Sequence, residues 1–143
     1  MQVIEHQYLY YQNVLACRLQ LDSGCVSDFL QRVSENLSVL NLKQTGKTIF
    51  TMDDPFVEFN IPVDQPFQGN LHYQYKPEFK LVNAVRARHY GSLDDIENKV
   101  MEVKQYIAKH SLNPVTQPYF VAQDADAVNG VYDIWIGIDE NVL

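Results

Sequence analysis

Two stretches of the chain carry apolar residues at helical spacing. Val26, Leu30, Val33 and Leu37 recur at intervals of four, three and four, and Ile96, Val100, Val103 and Ile107 repeat that rhythm. Each set marks one face of an amphipathic helix. Elsewhere the period falls to two. Val57, Phe59, Ile61 and Val63 alternate along one segment, and Tyr132, Ile134, Ile136 and Ile138 along another. That is the periodicity of a strand with one face buried.

The pattern occurs twice. Every apolar position of the first helix has its counterpart 70 residues later in the second. Asp22 and Ser92 keep the same offset, and both suit an N-cap because their side-chain oxygens accept orphan backbone N–H groups. Asp95 follows Ser92 by three, close to a capping box. Asn13 and Asn83, Arg18 and Arg88, Leu42 and Leu112, and Phe50 and Phe120 obey it too. After residue 51 the second half gains five residues within QDADAVNG, and the offset becomes 75. VEFNIPVD (57–64) then lies on YDIWIGID (132–139), with Glu58 on Asp133 and Ile61 on Ile136.

Each half reads strand, helix, strand, strand. Strands are expected at about 4–21, 46–52 and 56–63, then near 70–76, and at 80–90, 116–123 and 131–138. The first segment is long enough for a bulge or two strands. MDDP and DADAVNG supply turn chemistry between paired strands. The expected fold class is α+β. Two pseudo-twofold-related βαββ repeats (about 4–64 and 79–139) form a curved antiparallel sheet or open barrel with two helices, in a single domain spanning 1–143.

Composition adds limits. Hydrophobic residues make up 46% of the 143 positions, enough for a substantial core, and the formal charge of −7 argues against phosphate-backbone binding. A negative field mildly favours cationic or neutral partners. The start reads as a strand without the basic region of a signal peptide, and no apolar run approaches a membrane span. Cys17 and Cys25 form neither a CxxC site nor a disulfide framework. A reduced cytoplasmic protein is the expectation. Cys25, at a helix start, is a candidate for a lowered thiol pKa. His6, His72, His89 and His110 lack metal-ligand spacing, so no metal and no cofactor are expected. His89 reads as a satisfied strand-end histidine. Arg86 and Arg88 share a strand face, solvated or paired with neighbouring acids.

The candidate chemistry lies opposite the apolar strand faces. That side carries Glu58 and Asn60 in one half, and Asp133 and Trp135, the only tryptophan, in the other. If the sheet curves, these residues line a concave face. Two convergent carboxylates among aromatics make a small-molecule groove, able to hold a cation or to act in acid–base chemistry. The opposite possibility is a solvated face, the norm for antiparallel sheets.

Residues 84–121, AVRARHYGSLDDIENKVMEVKQYIAKHSLNPVTQPYFV, resemble the second half of GyrI-like domains. These resemble the effector-binding domains of multidrug-responsive transcription regulators and, more distantly, the SOUL haem-binding proteins. The shared features are a strand ending in HYG, an acidic helix start, a long amphipathic helix and a proline-flanked strand. A final strand of acid–apolar–aromatic–apolar pattern follows. The resemblance implies two βαββ units around a groove for bulky, often cationic or aromatic, molecules. It places Asp133 where family members commonly carry a ligand-contacting glutamate. Glu58 and Asn60 join it by the repeat, with Trp135, Tyr90, Tyr119 and Phe120 as aromatic walls. Tyr119 and Phe120 point to opposite faces, so one of them lines the groove.

The expected function is a stand-alone binding domain that senses or sequesters an amphipathic ligand, without contacting DNA or a membrane. Two other readings stay open. One is a protein-interaction module that uses the sheet edges and Tyr8, Tyr10 and Tyr11. The other is a hydrolase with Glu58 or Asp133 as acid or base.

Overall fold

The computed structural model describes residues 2–139, apart from the side chain of Ser23. In the first half come β1 (Val3–Gln20), α1 (Ser23–Gln31), α2 (Val33–Val39), β2 (Ile49–Asp53) and β3 (Phe56–Pro62). The second half has β4 (Gln74–Tyr90), a 3-10 turn (Leu93–Asp95), α3 (Ile96–Lys109), β5 (Asn113–Pro114), β6 (Tyr119–Asp124) and β7 (Val131–Asp139). The class is α+β, as expected.

Two details differ from the sequence pattern. The end of the segment expected near 70–76 and the strand at 80–90 are one continuous strand, β4, which begins only at Gln74. The first helix breaks at Arg32, whose φ of −102° and ψ of 5° leave the helical region. The break does not disturb its inner face, because Val26, Val33 and Leu37 are all buried.

All strand pairs are antiparallel, in the order β4-β1-β3-β2-β6-β7, and β4 also pairs with β7. The sheet therefore closes into a six-stranded barrel, which removes its exposed edges. The two-residue β5 adds to the end of β7.

The register locates the pseudo-twofold axis. Phe50 pairs with Phe120, and Tyr10 with Lys80. The members of each pair are 70 positions apart, so each residue faces its own counterpart and the axis passes between them. The Phe50 and Phe120 rings meet with centroids 5.4 Å apart.

The helix ends repeat as well. Asp22 accepts from the Cys25 N–H and Ser92 from the Asp94 N–H. At the C-terminal ends, Asn41 and Ser111 adopt φ of 57° and 55°. Leu42 donates to the Leu37 carbonyl and Asn41 to Ser38, while Leu112 donates to Ile107 and Ser111 to Ala108. Both are Schellman closures, which satisfy carbonyls the helix leaves orphaned.

Side chains divide between two cores. Helix residues Val26, Val33, Ile96, Val100 and Val103 pack on the strand face of Phe59, Ile61, Tyr132, Ile134 and Ile136. A buried aliphatic or aromatic side chain contributes about 1.5–3 kcal/mol, so this layer holds the fold. The second cluster holds no helix residue: Ile49, Leu81, Ala84, Val121 and Trp135, with Leu9, Tyr11, Phe79 and Tyr119 against them. These come from five strands of the closed sheet and face the barrel interior. Among the described residues, no helix is long and apolar enough to cross a membrane.

Candidate ligand-binding site

The sequence repeat becomes a structural pair at the carboxylates. Arg18 faces Glu58 across β1 and β3, and Arg88 faces Asp133 across β4 and β7. The two arginines are 70 positions apart and the two acids 75, so each acid sits opposite the equivalent arginine. Sequence reasoning aligned all four residues and read Arg88 as solvated or paired with neighbouring acids, but did not name its acid or assign Arg18 a partner.

The second pair is the tighter. The Arg88 Nε–H donates to Asp133 Oδ1 at 2.7 Å and its Nη2–H to Oδ2 at 3.1 Å. The Gln123 amide donates to Oδ2 at 3.0 Å, and Arg86 Nη1 lies 3.8 Å away. The Asp133 side chain is only 2% exposed, against 44% for Arg88. Asp133 pushes the already high pKa of Arg88 further up, so the guanidinium stays charged. Glu58 is looser, lying 3.7 Å from Arg18 and 3.6 Å from Lys76, while Arg18 makes its shorter contact, 2.8 Å, with Asp53.

Inside the barrel, one step along the same strands, the aromatic wall begins. Tyr119 pairs with Trp135 across β6 and β7 and meets Phe79 edge-to-face, with ring centroids 5.2 Å apart. Burial, and secondarily the charge of Glu58, raise the Tyr119 pKa. The Arg86 guanidinium lies over the Trp135 ring, 5.8 Å from its centroid. Tyr119 thus lines the interior, while Phe120 joins the helix-side core.

Asn60 and Trp135 are 75 positions apart and occupy equivalent places in the two halves. Both are buried. Lys76 Nζ donates to Asn60 Oδ1 at 3.1 Å. An ammonium group only donates, so the amide oxygen must face it and Nδ2 must face elsewhere. That Nδ2 and the Trp135 Nε1 have no hydrogen-bond partner among the described residues. A buried donor without an acceptor costs about 1–3 kcal/mol.

Two clefts open beside the paired carboxylates. Cleft one, about 250 Å³, is lined by Ala16, Arg18, Glu58, His72, Gln74 and Lys76. Cleft two, about 440 Å³, is lined by Gln2, Ile4, Arg86, Arg88 and Asp133, and also by Tyr90 and Lys99. Ala16 is equivalent to Arg86, Arg18 to Arg88, His72 to Gln2 and Gln74 to Ile4. The clefts are the same place in two halves.

The expected site residues therefore divide. Glu58 and Asp133, expected to converge on one groove, line different clefts, and both are engaged by cations. Tyr90 lines cleft two and is exposed. Trp135, Tyr119 and Asn60 lie within the barrel. Arg18, Lys76, Arg86 and Arg88 were missed as site residues. Of the amino-terminal tyrosines, Tyr8 and Tyr10 are exposed and Tyr11 packs into the barrel.

The other candidates are structural. The buried His89 ring meets the Ser92 carbonyl at 2.9 Å, as a strand-end histidine should. Cys25 departs from expectation: its hydrogen bond with the capping Asp22, and that residue's charge, raise the thiol pKa. Burial, followed by Glu58, pushes Cys17 up to about 11. No group of metal-ligating side chains occurs among the described residues.

No family model and no curated protein matches the chain. Solved structures do. EcmrR, in its DNA complex, superposes with a TM-score of 0.76 at 15% identity. That match covers 96% of this chain but only 57% of EcmrR. The EcmrR C-terminal domain alone gives 0.66 at 16% identity, over 94% of this chain and 98% of that one. The fold is GyrI-like. A hydrolase from Listeria innocua shares it, with a TM-score of 0.56 at 11% identity over 96% of this chain and 90% of that one. Identities this low establish the architecture alone, and within the GyrI-like fold chemistry has to be argued from side chains.

Proposed function

We propose that the chain is a small-molecule-binding domain that senses or sequesters an amphipathic compound with an aromatic body. The observation that carries this reading is the pair of buried donors, Asn60 Nδ2 and Trp135 Nε1, at equivalent positions inside the barrel and without a partner among the described residues. Each is a cost that the protein's own side chains leave uncompensated. An acceptor atom on a bound molecule offsets them, and Trp135, Tyr119 and Phe79 offer rings for its aromatic part. Cleft two is lined by Arg86, whose guanidinium lies over the Trp135 indole on its other side. The molecule acts in the cytoplasm on this reading, and DNA is not its target.

Thermal-shift measurements against aromatic amphiphiles of positive, neutral and negative charge test the proposal. A binder at a hundredfold excess over its Kd adds about 2.7 kcal/mol to stability. Trp135→Phe keeps an aromatic ring and deletes the N–H, so the shift of any binder should shrink while circular dichroism stays native. A panel in which every compound leaves the wild-type midpoint unmoved overturns the proposal.

A further inference from the structure

We propose that the molecule bound at cleft two is an anion, in the simplest case an aromatic carboxylate, held by Arg86, Arg88 and Lys99. This rests on the small-molecule reading above and adds the sign of the ligand. The cleft presents three cationic side chains and one carboxylate among its described lining residues. That carboxylate is already engaged. Asp133 takes two N–H groups from Arg88 and one from Gln123, and it is almost fully buried. It acts as a brace, fixing the plane of the Arg88 guanidinium. A guanidinium has five N–H donors. Asp133 uses two of them and the Tyr90 hydroxyl, on the same cleft wall, meets the guanidinium as well, yet the side chain remains 44% exposed, which leaves donors for a second carboxylate.

The neighbours point the same way. Arg86 occupies the position that Ala16 holds in cleft one, so the second half has gained a cation where the first has a methyl group. Lys99 also pairs with Glu102 at 3.3 Å, three residues along α3, with Lys99 half-buried and Glu102 exposed. Such surface pairs are weak and exchange readily for a better anion. A cationic ligand here meets three like charges and a single carboxylate that already holds an arginine and a glutamine. The chain as a whole carries −7, but fields from distant acids fade within about 8 Å at physiological ionic strength, so the local cluster sets the preference.

Calorimetry with three matched probes tests this: naphthoate, naphthamide and naphthyltrimethylammonium. Naphthoate should bind about tenfold or more tighter than naphthamide, because charge-assisted hydrogen bonds are about twice as strong as neutral ones. The ammonium compound should bind weakest. Arg86→Gln should erase the preference for naphthoate over naphthamide. Lys99→Gln, which keeps most of the length of the half-buried side chain and removes its charge, should reduce it. Equal affinities, or tightest binding of the ammonium probe, overturn the inference and leave the small-molecule reading intact. Silence of all three probes alongside hits in the amphiphile panel also overturns the inference alone. Silence in both experiments overturns the two together.

Discussion

Arg18–Glu58 and Arg88–Asp133 occupy the same register in the two halves, yet one pair is open and the other closed. Glu58 is 31% exposed and shared between Arg18 and Lys76 at 3.6–3.7 Å. Asp133 is 2% exposed and meets Arg88 through two parallel bonds. The missing methylene accounts for much of the difference. The short aspartate stays close to its strand, where the facing arginine bridges both oxygens and the barrel closes around them. The longer glutamate reaches out to a lysine and to water. One repeat has kept a solvated charge pair where the other has built a braced arginine at the floor of a larger cleft.

The largest effect expected from breaking this comparison lies one step deeper. Trp135→Ala should cost about 3–5 kcal/mol in urea unfolding, as large aromatic truncations do. Asn60→Ala, at the equivalent position, should cost about 1–2 kcal/mol, because it removes an orphan donor along with the Lys76 bond. Similar costs at both positions would mean that the interior is equally filled in the two halves.

The charge pairs come next. Arg88→Gln should destabilise by about 2–3 kcal/mol, below the ~3–5 of a fully buried pair because Arg86 and Gln123 still face Asp133. Arg18→Gln should cost under about 1 kcal/mol, like other exposed pairs. Equal costs would erase the distinction between brace and surface pair.

The smallest effect concerns Tyr132, whose counterpart in the first half is Val57. Its hydroxyl is buried without a partner among the described residues, and burial pushes its pKa up to about 12. The unfolded chain ionises near pH 10. Between about pH 10 and 12 the unfolded state loses its proton while the folded state keeps it, so stability present below pH 10 falls as pH rises. Tyr132→Phe should remove that part of the alkaline loss and raise stability at neutral pH by up to about 1 kcal/mol. Stability profiles recorded from pH 7 to pH 12 for both proteins check it.

Periodicity and the 70-residue offset carried most of the architecture, because caps, apolar stripes and strand alternation are local signals. Val26–Leu37 and Ile96–Ile107 announced their helices, and the Phe50–Phe120 match lies on the symmetry axis itself. What stayed hidden depends on closure. The pairing of β4 with both β1 and β7 turns a surface into an interior, and neither strand signals it. Long β4 was divided because Pro77 and the charges around it blur its alternation. The acids were visible as an aligned pair, but their partners lie 40 and 45 residues away. Only register shows that the aligned arginines stand opposite them. The orphan donors of Asn60 and Trp135 were beyond reach, since a missing partner is a property of packing.

Trp135 is the only tryptophan of the chain, so its fluorescence reports on the proposed site without competing signals. Titration with iodobenzoate, an aromatic carboxylate with a heavy-atom quencher, therefore tests ligand binding at the barrel mouth directly. Saturable quenching that naphthoate reverses, and that Lys99→Gln weakens, is the predicted result. Quenching that rises linearly into the millimolar range and is indifferent to naphthoate would contradict it.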